Sequence, residues 1–238
     1  MYIKPFALLS LLGAAQALAP PKILSPDDVI VPNDDGSYSI MKDYEYGIQK
    51  SKREMLNKRS KHSPPTAPSD VGALERRCED TTEVQVLTDT NFNNWDVAMS
   101  PVISNTGSSM AIIAVSKGYS ISNSVSVTES SSYTVIPEIL TVSLSITVST
   151  TWTTENSQTF SFWVPAGQHG VVVSQPYVRR VTGNLVTGCS DSPKLEPFTA
   201  DSYSSQTYSE MTWVKGPIML CNGTEYPIPF CNGNGVHK

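Results

Sequence analysis

"ILTVSLSITVSTTW", Ile139–Trp152, is the stretch on which the fold reading turns. Leu140, Val142, Leu144, Ile146 and Val148 fall on one parity. Thr141, Ser143, Ser145, Thr147 and Ser149 fall on the other, and no charged residue interrupts them. A β-strand turns successive side chains to opposite faces, so the alternation predicts a strand with one apolar and one hydroxyl face. Two uses of such a strand are open. In a half-exposed antiparallel sheet the apolar face covers a core and the hydroxyl face meets water. In a transmembrane barrel, whose strands need about 9–11 residues, the five aliphatic side chains would face lipid and the hydroxyls a wet lumen. Exposed strands normally carry Lys or Glu to discourage edge pairing. Their absence here argues for self-association or insertion, but a single alternating segment is a weak signal for a barrel, so the soluble-sheet use is favoured.

The flanking sequence has the same character. "YSISNSVSVT", Tyr119–Thr128, alternates as well, and Pro137-Glu138 marks a turn between the two blocks. "EVQVLTDT" (Glu83–Thr90), "TFSFWV" (Thr159–Val164), "VVVSQPYVRRVTGNLVTG" (Val171–Gly188) and "SQTYSEMTWVKGPIMLC" (Ser205–Cys221) read as further strands. "PAGQHG" (Pro165–Gly170) reads as a turn, and no long stretch has helical apolar spacing. The expected fold is all-β: a single antiparallel, elongated or sandwich-like domain.

The first eighty residues read differently. Lys4, the apolar run Pro5–Gly13 and Ala15-Gln16-Ala17 fit a signal peptide over residues 1–17, cut after Ala17. Leu18–Arg77 is polar, Pro-rich and blocky in charge, ending in "KSKREMLNKRSKHSPPTAPSD" and beyond. That composition predicts a disordered prosegment. Lys52-Arg53, Lys58-Arg59 and Arg76-Arg77 are dibasic pairs, so a kexin-type protease is the expected processing partner, with Arg53, Arg59, Arg76 and Arg77 at the cut sites. The mature domain is then Cys78–Lys238.

That part carries six Lys and Arg against thirteen Asp and Glu, a formal net charge of −7. This balance argues against nucleic acid as a partner. It leaves a host or microbial surface target open, whether protein, glycan or lipid, together with homo-oligomerisation. All four cysteines, Cys78, Cys189, Cys221 and Cys231, lie in it, and an even count in a secreted chain reads as two disulfides. Cys221–Cys231 is favoured because it would tie the Pro-bearing loop "CNGTEYPIPFC", leaving Cys78–Cys189. Asn222-Gly223-Thr224 is a glycosylation sequon, which places its loop at the surface.

Catalytic and cofactor signals are thin. There is no G-x-S-x-G elbow, phosphate loop or C-x-x-C. His169 and His237 are the histidines of the mature part, and a turn histidine without an activating neighbour is ordinarily a turn residue. The acids are scattered and read as solvated turn residues, though paired carboxylates for a glycan hydrolase need only spatial proximity. No catalytic residue, metal or cofactor is expected. Of the tryptophans Trp95, Trp152, Trp163 and Trp213, which could stack on sugars, Trp163 and Trp213 are expected in the core.

"NFNNWDVAMS", "SKGYSISNSVSV", "TTWTTENSQTFSFWVPAGQHGVVVSQP", "GNLVTGC" and "YSEMTWVKGPIMLC…YPIPFC" stand in an order that resembles small secreted effector-like proteins of filamentous fungi. The resemblance covers nearly all of Cys78–Lys238. It implies a filamentous fungal source, secretion and a role at the interface with a host or competitor, and it supplies no catalytic residue. A second resemblance, over Tyr119–Val173, is to the β-rich domain of aerolysin and epsilon-toxin pore formers. It rests on Ser/Thr strands followed by "SQTFSFWVPAGQHGVVV". It implies an aerolysin-like fold in which Leu140, Val142, Leu144, Ile146 and Val148 become membrane-facing. Pro137 and the lack of a separate receptor-binding domain depart from that pattern.

Overall fold

The computed structural model describes residues 23–59, 81–127, 140–141, 144–154, 160–188, 193–208 and 211–238. The first elements are β1 (Ile23–Leu24), β2 (Asp28–Pro32), β3 (Tyr38–Lys42), the helix α1 (Asp43–Arg59) and β4 (Thr81–Asn93). Then come β5 (Val97–Ala98), β6 (Ile103–Asn105), β7 (Ala111–Ala114), β8 (Ser120–Ser122), β9 (Ser124–Val127) and β10 (Thr151–Thr153). The chain continues through β11 (Ser161–Val164), β12 (Gln168–Ser174), β13 (Tyr177–Gly188) and β14 (Lys194–Ser202). It closes with β15 (Ser205–Tyr208), β16 (Met211–Val214), β17 (Ile218–Gly223), β18 (Ile228–Pro229) and β19 (Val236–His237). The fold is all-β as expected. Among the described residues the strand pairs are antiparallel except β1 on β11, and no helix is long and apolar enough to cross a membrane.

Two sheets organise the molecule. One runs β3-β2-β17-β12-β5, with β6 also on β12, and the other runs β4-β13-β14-β9. The first sheet packs with β1, β7 and β11 around Leu24, Ile30, Phe162, Val164, Val172, Trp213, Ile218 and Leu220. Here the rings of Phe160 and Trp213 stack at 6.0 Å, and the edge of Tyr38 meets Phe160 at 5.6 Å. Trp213 is in the core as expected, Trp163 and Trp152 are half-buried, and Trp95 is exposed. In the second sheet Gly183 lets β13 approach its neighbours closely. A Cβ there would lie 2.3 Å from the Gln85 carbonyl oxygen and 2.8 Å from the Phe198 ring, where the β13–β4 register shifts.

The expected prosegment departs from its composition. Its stretch from Ile23 to Arg59 is folded onto the body; residues 1–22 and 60–80, with Ala17, Arg76, Arg77 and Cys78, lie outside the described residues. Leu24, Val29, Ile30, Val31 and Tyr46 are buried. Each such aliphatic side chain stabilises the fold by roughly 1.5–3 kcal/mol when taken fully out of water. The charge blocks that suggested disorder are the ends and turn of a hairpin. Gly36 takes φ +86° and Asp35 Oδ1 accepts from the Ser37 N–H at 2.9 Å, so Asn33–Ser37 turns β2 into β3. At the open end Lys42 Nζ reaches Asp27 at 2.9 Å and Asp28 at 2.7 Å. α1 has no apolar stripe. Asp43 and Glu45 in its first turn complement the positive end of the helix dipole instead.

The stretch Ile139–Trp152 also departs from expectation. Among its described residues only Thr151 and Trp152 are in a strand. Leu140, Thr141 and Leu144 have helical backbone, and Ser145 and Ser149 take left-handed φ of 55° and 67°. The alternation of faces survives even so. Leu144, Ile146 and Val148 turn inward, and Ser145, Thr147 and Ser149 are exposed. Leu140 and Ile146 are buried against Val125, Val181, Leu185, Phe198 and Ala200, with Leu144 and Val148 packed beside them. The membrane-facing set therefore covers a sheet face in this structure, and Val142 lies outside the described residues. The segment lies over the face of the four-stranded sheet and, among the described residues, pairs with neither of its outer strands, β4 and β9.

Candidate functional site

A cleft of about 630 Å³ lies along the seam between Ile23–Arg59 and the rest of the chain. One wall comes from Asn33, Gln49, Lys50 and Arg53, the other from Asn91 and Lys215. Hairpin β2–β3 and α1 set the first wall, and the end of β4 sets the second. Lys215 Nζ pairs with Asp34 at 2.5 Å across the seam, and this hydrogen bond and charge hold the Asp34 carboxyl below its usual range. The Arg53 guanidinium sits 5.0 Å over the Tyr177 ring and that of Arg180 5.1 Å over Phe92, so cations cover both aromatic faces. What the cleft presents is therefore amides and cations, with the exposed Asp34 carboxylate among them. Side-chain amides donate and accept at once, which suits hydroxyl-bearing ligands that do the same.

Behind the cleft runs a chain of buried polar side chains. Asn93 Nδ2 donates to the Tyr46 hydroxyl at 2.6 Å and to Gln175 Oε1 at 3.3 Å. Gln175 Nε2 donates to Asp96 Oδ1 at 2.9 Å. The Asp96 carboxylate also accepts the backbone N–H groups of Cys231 at 2.6 Å and Asn232 at 3.1 Å, with His237 Nε2 3.4 Å away. Burial pushes the Tyr46 phenol up, keeping it neutral and able to donate. Asp96 is the member that departs most from the sequence reading, since it is buried where a solvated turn acid was expected. Its oxygens are engaged by main-chain and amide donors that fasten the C-terminal loop. It therefore holds structure and offers no free lone pair to a substrate.

The disulfide Cys221–Cys231 is formed, as favoured from the loop between its cysteines. Asp96 approaches both sulfurs, but these are bonded to each other and are not thiolates, so the cluster is no metal site. Cys189 lies outside the described residues. Asn222 is half-buried on β17 rather than at a loop tip, and its Nδ2, the atom a glycan would occupy, donates to Gln168 Oε1. His169 is on strand β12 just past the turn, and its Nδ1 is 2.7 Å from Ser104 Oγ of β6, its register partner. Among the described residues no carboxylate bonds the other ring nitrogen. The pair is thus a cross-strand hydrogen bond without the third member a nucleophilic triad needs. Arg53 and Arg59 both fall within α1.

No protein-family model, curated protein or solved structure matches the chain.

Sequence reasoning missed Tyr46, Asn93, Asp96 and Gln175. Nothing local separates Asp96 in "NNWDVAM" from a solvated acid, because the groups that satisfy it come from residues 175 and 231–237. The hairpin turn "NDDGS" between "DVIVP" and "YSIMK" was legible, and it would have led to the first wall of the cleft.

Proposed function

We propose that the chain is a secreted, effector-like protein of a filamentous fungus that acts without catalysis, by binding a glycan on a host or competitor surface. The observation that carries this reading is the seam cleft. It is open and large enough for a small oligosaccharide, and it presents amides and three cations, Lys50, Arg53 and the Asp34-paired Lys215, in an otherwise acidic molecule. Secretion is supported by the signal-peptide pattern and the disulfide. Purified Leu18–Lys238 should bind particular members of a glycan array. Gln49→Ala with Lys50→Ala, neither of them buried, should weaken that binding at least tenfold while leaving the melting temperature within a degree or two. Array binding that ignores these two substitutions would remove the cleft from the account.

A second reading, an aerolysin-type pore former, is favoured by one observation. The described residues before Thr151 in the segment with the strongest strand pattern lie outside any strand, two of them serines in left-handed backbone. Conflict between local preference and observed structure marks segments with a second conformation. Dye release from sterol-containing liposomes separates the two readings. Release abolished by Leu144→Asp in a protein that is still secreted supports insertion. Intact liposomes under all lipid compositions leave binding as the activity.

A further inference from the structure

We infer that Ile23–Arg59 stays on the body as a second, non-covalently held chain after the link between it and Cys78 is cut. The inference rests on the dibasic processing expected from the sequence, and the experiment below separates the two. No disulfide can retain the segment, because all four cysteines lie at Cys78 or beyond. Retention must come from the interface, which has the character of a core divided between two chains.

Two strand pairings cross it. β1 lies parallel on β11, with Leu24 opposite Phe162, and β2 lies antiparallel on β17, with Ile30 opposite Ile218. Leu24 and Ile30 belong to the same buried cluster as Phe162, Trp213 and Ile218, so the segment supplies part of the main core. Polar contacts reach three further places on the body. The Tyr46 hydroxyl accepts from Asn93 at 2.6 Å, the Ser37 carbonyl accepts from Gln206 Nε2 at 2.7 Å, and Asp34 pairs with Lys215. Departure of the segment would open the edges of β11 and β17 together and bare the apolar side chains beneath them. An exposed, apolar strand edge is the surface folded proteins avoid. Interfaces of this kind are those of permanent complexes.

The cut sites fit the same picture. A protease takes an extended, accessible chain. Lys52-Arg53 is inside α1, with Arg53 held over Tyr177, so this pair is protected while the segment is docked. Lys58-Arg59 closes the helix, and Arg76-Arg77 falls within residues 60–80. Cutting at either of these leaves every contact named above in place. The processed particle is thus a one-to-one complex in which the segment also keeps its wall of the cleft.

The test starts from purified Leu18–Lys238 cut with a kexin-type protease, followed by size exclusion and native mass spectrometry without denaturant. The expected result is two polypeptides eluting as one species in equal amounts, with cuts after Arg59 or Arg77 and none after Arg53. A parallel protein carries a sequence-specific protease site in place of residues 64–69, so that the link is cut without the dibasic pairs. Co-elution in this arm with no cutting in the first keeps retention and discards the dibasic processing. A body that elutes alone as a folded monomer in either arm overturns the inference, as does ready cutting after Arg53 in the native protein.

Discussion

Ile23–Arg59 and Ile139–Trp152 exchange the roles that their sequences suggest. The first is polar and charged in blocks, yet it contributes three strands, a helix and buried side chains to the largest core. The second alternates without a break from Leu140 to Ser149, yet among its described residues a strand begins only at Thr151. The difference is one of partners. "DVIVP" is short, but it finds its own hairpin mate in "YSIMK" and an open edge on β17. The longer and more regular segment lays its aliphatic side chains on the face of the four-stranded sheet and, among its described residues before Thr151, pairs with no strand. Alternation decides which side chains go inward, while a strand also needs an edge to pair with.

The largest expected effect tests whether the two segments are equally part of the fold. Ile30→Ala should cost about 3–5 kcal/mol, at the upper end for such a core truncation, because Ile30 is held on both sides by paired strands. Ile146→Ala, almost as deeply buried, should cost nearer about 2 kcal/mol, because a segment without strand pairing relaxes into the space. Urea denaturation of both variants measures the gap. A larger cost for Ile146 would make the alternating segment the more rigid of the two and reverse the comparison.

The next effect is alkaline. Burial pushes the Tyr119 phenol, which contacts Ser174 Oγ at 3.0 Å, up to about 12. Tyr46 on α1 moves in the same direction for the same reason. The folded state therefore keeps protons that the unfolded chain gives up near pH 10. Stability is fully present below about pH 10 and is lost as the pH rises toward 12. Tyr119 alone should contribute up to about 2 kcal/mol of this loss, less what its partial exposure screens. Tyr119→Phe should flatten the pH profile between 10 and 12 in thermal melts. An unchanged profile would assign the alkaline loss to the other phenols that burial raises, Tyr46 and Tyr203.

A smaller effect concerns what fastens the alternating segment. Arg179 holds Asp89 with three hydrogen bonds, at 3.0, 3.2 and 2.7 Å, and its Nη1 donates to the Leu144 carbonyl at 3.1 Å. Arg179→Gln should cost about 1 kcal/mol or less in overall stability, as a partly exposed ion pair does. It should raise amide exchange across 144–149 well above that in β13 itself. Equal exchange in both places would show that packing by Leu140 and Ile146 fastens the segment without help from the arginine.

Much of this was legible in the sequence, and what was not had a consistent cause. The all-β class, the Cys221–Cys231 bridge and the inward parity of Leu144, Ile146 and Val148 follow from short-range pattern. The burial of Asp96, the path of Ile139–Trp152 and the docking of Leu24 and Ile30 depend on partners distant in the sequence, which no local window contains. α1 is the exception. It escaped because it carries no apolar stripe, although Asp43, Glu45 and the basic end signalled a helix locally.

The smallest expected effect bears most directly on the alternating segment. A left-handed residue other than glycine costs roughly 1–2 kcal/mol relative to one in ordinary backbone. Ser149, at φ 67°, bears such a cost, and its N–H donates to the Asn123 carbonyl at 3.3 Å. Ser149→Gly removes the strain but also loosens the unfolded chain, so the net gain should be about 0.5 kcal/mol. Thr147→Gly is the control. Thr147 is exposed in the same segment without positive φ, so this variant should lose stability. Opposite signs for the two variants in denaturant titrations would establish that the segment is held in a conformation its sequence does not prefer. The same Ser149→Gly change should then oppose liposome release if the pore reading holds, because glycine favours the bent form over the strand. Destabilisation by Ser149→Gly would mean that residue 149 is extended in solution, and the contrast between the two regions would narrow to their composition.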